Sequence, residues 1–141
     1  MKSAARGTIL VVEDDQGVLD LVASVLRANA YTVLEAGCAR DALTHGKDHP
    51  KPIDLLLTDL KLPDIHGLEL ARRVVALRPG MRCLFMSGYP MDPASVPADR
   101  FIEKPFKLED LMLAVEAALS QSSDASEKDG SVPDVTGDST G

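Results

Sequence analysis

Apolar residues in this chain fall into short runs and stripes that alternate along most of its length. Thr8–Glu13 (TILVVE) is a β-branched run of the kind that forms a strand. Gln16–Ala30 carries Val18, Leu19, Val22, Val25 and Leu26, the spacing of one helix face. Asp14 or Asp15 can cap that helix, because a short acceptor side chain before the stripe satisfies a free backbone N–H. Tyr31–Ala36 alternates as a strand, and Ala39–Gly46 predicts a short helix that stops before Pro50 and Pro52. Ile53–Thr58 (IDLLLT) predicts a strand running into Asp59, followed by a loop over Lys61–His66 that contains Pro63. Gly67–Leu77 is a helical stripe ended by Pro79-Gly80. Cys83–Met86 predicts a strand running into Ser87, and Phe101–Ile102 a brief strand before Lys104-Pro105. Leu108–Leu119 is a last helix, with Glu109 and Asp110 placed at its positive N-terminal end. Between Ser87 and Phe101, Pro90, Pro93 and Pro97 leave little room for a helix.

Strand and helix alternate, which predicts a doubly wound α/β fold: a parallel sheet with helices on both faces. The first, third and fourth strands are near-continuous apolar runs, as strands buried on both faces should be. Ligands in such sheets bind beyond the carboxyl ends of the strands.

Length and charge narrow the picture. The 141 residues make one domain of ordinary globular balance, 45% hydrophobic and 26% charged. No run of 18 apolar residues exists, so no membrane span is expected. The apolar stretch Ile9–Val12 is too short for a signal peptide, which predicts a cytoplasmic protein. Cys38 and Cys83 lack metal-ligand spacing and are expected to be reduced, buried thiols. The net charge of −7 argues against nucleic acid as a direct partner through a broad basic face. About half of that charge sits after Ser120, where Ser, Asp, Gly and Thr dominate. Residues 121–141 are therefore expected to be a disordered acidic tail, with 8–120 the folded domain and 1–7 an N-terminal extension.

The strand ends carry the candidate chemistry. The first strand ends in Glu13-Asp14-Asp15, the third in Asp59, the fourth in Ser87 and the fifth in Lys104. In a parallel sheet these groups converge on one edge. Two carboxylates about 4 Å apart repel by roughly 4 kcal/mol at an effective dielectric near 20. Such a cluster needs raised pKa values, an ammonium partner or a divalent cation. Oxygen donors with open positions suit Mg²⁺. Lys104 offers a positive charge for a phosphoryl oxygen, and Ser87 a hydroxyl donor. Together they form a set suited to phosphoryl transfer.

The stretches ILVVEDD (Ile9–Asp15), LLLTDLKLPDIHGLEL (Leu55–Leu70), LFMSGYP (Leu84–Pro90) and FIEKPF (Phe101–Phe106) resemble, in this order, the receiver domain of two-component response regulators. The resemblance covers about Thr8 to Leu119. It implies a flavodoxin-like five-stranded sheet of order 2-1-3-4-5. It also implies that Asp59 accepts a phosphoryl group and that Glu13 and Asp14 form the acidic pair for Mg²⁺, with Asp14 the more direct ligand. Asp59 and the backbone carbonyl of Lys61 would complete the metal set. Ser87 and Phe101 match the switch positions and Lys104 the family's lysine, with a cis Lys104–Pro105 bond. The implied donor is a phosphohistidine on a sensor histidine kinase or phosphotransfer protein. SGYP is similar to receivers attached to hybrid kinases.

Two departures stand out. The interval between Ser87 and Lys104 is shorter than is usual in the family, so the helix between the fourth and fifth strands is expected to be shortened or missing. No DNA-binding or catalytic segment follows Leu119, so, if this is the full protein, the output is expected to come from binding an unknown downstream protein or from serving as a phosphate relay or sink. Competing readings are a Mg²⁺-dependent phosphohydrolase with an aspartyl-phosphate intermediate, a flavin or nucleotide module, and a receiver that is never phosphorylated. The first needs an acid two residues after the nucleophile, where this chain has Lys61. The second needs a phosphate-cradling loop after the first strand, where EDD repels phosphate. The intact acidic, Ser and Lys set argues against the third.

Overall fold

A computed structural model describes residues 6–88 and 100–120. The elements run β1 (Thr8–Val12), α1 (Gln16–Ala28), β2 (Thr32–Ala36), α2 (Ala39–Asp48), β3 (Leu55–Asp59), α3 (Gly67–Leu77), β4 (Arg82–Ser87), β5 (Phe101–Glu103) and α4 (Leu108–Ser120). The five strands form one parallel sheet of order β2-β1-β3-β4-β5, as the sequence resemblance implies. The expected shortening of the helix between β4 and β5 concerns residues 89–99, outside the described residues. The expected acidic tail, 121–141, lies outside them as well.

Alternation along each strand divides the core in two. Ile9, Val11, Leu55, Leu57, Leu84 and Met86 face one side, where Leu19, Val22, Ala23 and Leu26 of α1 and Leu111, Val115 and Ala118 of α4 cover them. Leu10, Val12, Leu56 and Phe85 face the other, under Ala39 and Ala42 of α2 and Leu70, Ala71 and Val74 of α3. Burying each large apolar side chain stabilises the fold by roughly 1.5–3 kcal/mol. A sheet covered on both faces exposes only its two edges, so the polar residues at its carboxyl edge need a cleft there.

Helix ends are set by local chemistry. Asp15 caps α1, its Oδ1 accepting from the Val18 N–H at 3.2 Å. At the other end Asn29 donates its side-chain amide to the Val25 carbonyl, and Ala30 turns left-handed with φ 74°. His66 caps α3, with Nδ1 accepting from the Leu68 N–H at 3.1 Å. Arg78 follows α3 and donates its guanidinium to the carbonyls of Gly46, Lys51 and His49, tying down the C-terminal end of α2.

Candidate functional site

Glu13 follows the last residue of β1, and its N–H donates to the Ala36 carbonyl of β2 at 3.0 Å. This pairing carries the carboxylate inward, and Glu13 is only 1% exposed. Asp14, one residue on, points to solvent. Asp59 ends β3 and is 8% exposed. The Lys104 N–H donates to the Ser87 carbonyl at 2.7 Å, so β4 places the lysine beside the ends of β1 and β3.

These residues meet in a cleft of about 610 Å³ lined by Glu13, Asp14, Asp59, Lys61, Pro63 and Lys104. Lys104 Nζ donates to Glu13 Oε1 at 2.5 Å and to Asp59 Oδ2 at 3.2 Å. The second oxygen of Glu13 accepts from the Asp15 N–H at 3.1 Å. The second oxygen of Asp59 accepts from the Lys61 N–H at 3.4 Å, a long contact. Ser87 is buried at the end of β4, next to Gly88 of the cleft wall. Phe101 opens β5, pairs with Phe85 and packs half-buried against the core on the sheet face that α2 and α3 cover, away from the cleft lining. Tyr89, in the LFMSGYP stretch that follows β4, lies outside the described residues.

The electrostatics follow from burial. Burial pushes the Glu13 carboxyl above its ordinary value. The hydrogen bonds from Lys104 and the Asp15 N–H oppose that rise, and the Asp59 charge adds to it. Burial also lowers the Lys104 ammonium, but the bonds and charges of Glu13 and Asp59 more than offset this and its pKa is raised. One ammonium therefore serves two buried carboxylates, with a third carboxylate at the rim.

One carboxylate oxygen from each of Glu13, Asp14 and Asp59 lies within 4.8 Å of the others. The cleft lining carries four acids, Glu13, Asp14, Asp15 and Asp59, against two lysines, Lys61 and Lys104, which leaves net negative charge, and the clustered donors are hard oxygens. Both features fit Mg²⁺. Five of the residues singled out in the sequence are thus brought to one cleft, with Ser87 at its border and Phe101 apart. Sequence reasoning missed Asp64, whose carboxylate accepts from the Ala39 and Arg40 N–H groups at the start of α2. A cap reaching across 25 residues leaves no local signal.

Comparison with known proteins agrees with this geometry. The family model for the response regulator receiver domain matches residues 9–116. The response regulator receiver protein CpdR of Brucella abortus is 32% identical over 116 residues, covering 79% of this chain and 95% of CpdR. The sensor kinase CckA of the same organism is 31% identical over 123 residues, which cover 84% of this chain but only 13% of the kinase. Among solved structures, the receiver domain of the hybrid histidine kinase CckA superposes with a TM-score of 0.71 at 34% identity, covering 80% of this chain and 99% of that domain. A CheY-like receiver from Methanospirillum hungatei gives 0.73 at 32% identity, covering 91% and 100%. Among the described residues no helix is long and apolar enough to cross a membrane. Fold, acidic cleft and family match agree, and the chain belongs to the response regulator receiver domains of two-component signalling.

Proposed function

We propose that the protein takes a phosphoryl group from a phosphohistidine onto Asp59, with Mg²⁺ bound, and signals by the resulting change in shape. The observation that carries this reading is the meeting of Glu13, Asp14 and Asp59 oxygens within 4.8 Å, with Lys104 bridging two of them. Asp14, Asp59 and the Lys61 carbonyl would hold the ion, with Glu13 beside it. When bound, Mg²⁺ supplies positive charge that offsets the phosphoryl oxygens as the group passes in line.

The chain's own groups do the rest. Lys104 and the Lys61 N–H fix the two oxygens of Asp59, so the nucleophile is oriented before the donor arrives. An Asp59 oxygen forms the new bond to phosphorus. The P–N bond to the donor imidazole breaks, and its electron pair leaves with that nitrogen. Lys104 Nζ then shifts from Asp59 Oδ2 to a phosphoryl oxygen. The Ser87 hydroxyl turns to another, and Phe101 follows into the space released, a two-state shift biased by new charge. A sensor histidine kinase or phosphotransfer protein supplies the group, a downstream protein reads the shift, and the location is cytoplasmic.

A small acyl phosphate donor tests the reading. Incubation with Mg²⁺ is expected to add one phosphoryl group to the intact chain, detectable by mass. Chelation of the metal or Asp59→Asn should abolish the addition. Undiminished labelling of Asp59→Asn would overturn the assignment.

A further inference from the structure

We propose that Asp64 is a positioning residue for the metal and phosphoryl site, tethering the loop after Asp59 to the N-terminus of α2. The inference rests on the reading of Asp59 given above. Helix α2 begins with free N–H groups, and its N-cap, Cys38, provides no side-chain acceptor. Asp64 fills the gap from the β3–α3 loop. Its Oδ1 accepts from the Ala39 N–H at 3.0 Å and its Oδ2 from the Arg40 N–H at 2.9 Å. These bonds, the Ala39 one foremost, hold the Asp64 carboxyl below its ordinary pKa despite some desolvation. The cap is therefore a full negative charge at the positive end of α2.

The loop it holds is the one that serves Asp59. Its root is fixed by the Leu60 N–H on the Met86 carbonyl at 2.9 Å and the Gly67 N–H on the Leu60 carbonyl at 2.7 Å. Asp64 secures its far side. Between these anchors lies Lys61, whose N–H reaches Asp59 Oδ1 at 3.4 Å. That contact is already long, so a small loop movement lengthens or breaks it. Freeing Asp64 therefore loosens a group that orients the Asp59 carboxylate. Arg78 anchors the opposite end of α2 through three carbonyls, but its bonds do not reach this loop. It provides a matched control for helix stability without loop positioning.

The test combines calorimetric Mg²⁺ titration with amide hydrogen exchange on the full chain. Asp64→Ala is expected to speed exchange at Ala39 and Arg40 and to weaken Mg²⁺ binding about tenfold, the lower end of the effect of removing a partner that supports a metal's ligands. Asp64→Asn keeps one acceptor oxygen and the side-chain volume, and should recover part of both effects. Arg78→Gln should lower the melting temperature yet change Mg²⁺ affinity by less than about twofold. Wild-type Mg²⁺ affinity in Asp64→Ala, or an equal loss in Arg78→Gln, would overturn this inference while leaving the Asp59 reading standing. Absence of Mg²⁺ binding in the wild-type chain would overturn both.

Discussion

Gly67 lies so close to Asp59 that a Cβ at position 67 would sit 2.3 Å from the Asp59 carbonyl oxygen. The obstacle is backbone, which cannot turn aside as a side chain can. The same Cβ would meet the Leu60 Cα at 2.9 Å. The first turn of α3 thus rests directly on the end of β3. Gly67→Ala is expected to destabilise the fold by about 2 kcal/mol through overpacking. Urea denaturation measures this; an unchanged midpoint would mean that α3 and β3 are not in this contact.

Ala30 shows the opposite case. Its φ of 74° is left-handed, where a Cβ crowds the backbone, and its side chain is exposed. Ala30→Gly should stabilise the protein by about 0.5–1 kcal/mol, because relief of this strain exceeds the entropy glycine adds to the unfolded chain. Thermal melting gives the sign directly.

Lys104 makes stability depend on pH at both ends of the scale. Its pKa is raised above 10.5, so the folded state holds its proton to higher pH than the unfolded state does. Its contribution is complete below 10.5 and is lost as pH rises through the folded value. Lys104→Met should remove that alkaline loss from urea midpoints. Near neutral pH, without added metal, the same variant should lose about 3 kcal/mol, since Glu13 remains buried without its ammonium. The Glu13 carboxyl is already raised above 4.5 and would rise further. A raised acid contributes most below its unfolded value, so Lys104→Met should approach wild type as the pH falls toward 4.5. A constant difference across the range would contradict this pairing.

Cys83, on β4, has its thiol pushed up to about 11 by burial, with Arg100 acting weakly against the shift. Only the thiolate is nucleophilic, so alkylation at pH 8 should run ~100-fold slower than for a free thiol. Peptide mapping after timed iodoacetamide treatment reads this rate. Labelling at the free-thiol rate would show that β4 opens readily.

Much of this architecture is legible in the sequence because periodicity and strand-end chemistry are local. Leu19, Val22 and Leu26 announce α1, and Glu13, Asp59, Ser87 and Lys104 each follow or end an apolar run. Boundaries moved where the deciding contact is not local. The helix read as Gln16–Ala30 ends at Ala28, since Asn29 and Ala30 leave the helical conformation, and nothing in an alanine signals a left-handed turn. The strand read as Ile53–Thr58 runs from Leu55 through Asp59, which pairs with Met86. Asp64 and Arg78 escaped notice for the same reason. Each bonds backbone groups more than twenty residues away, and their value exists only once α2 and α3 are packed.

Trapping the modified residue tests the central claim most directly. After reaction with a small acyl phosphate donor and Mg²⁺, borohydride reduces an acyl phosphate to an alcohol, and peptide sequencing by mass locates the change. Homoserine at position 59, and its absence when Mg²⁺ is chelated, is the predicted result. Homoserine at position 13 or 14, or a phosphoryl group stable to borohydride on another side chain, would contradict the account.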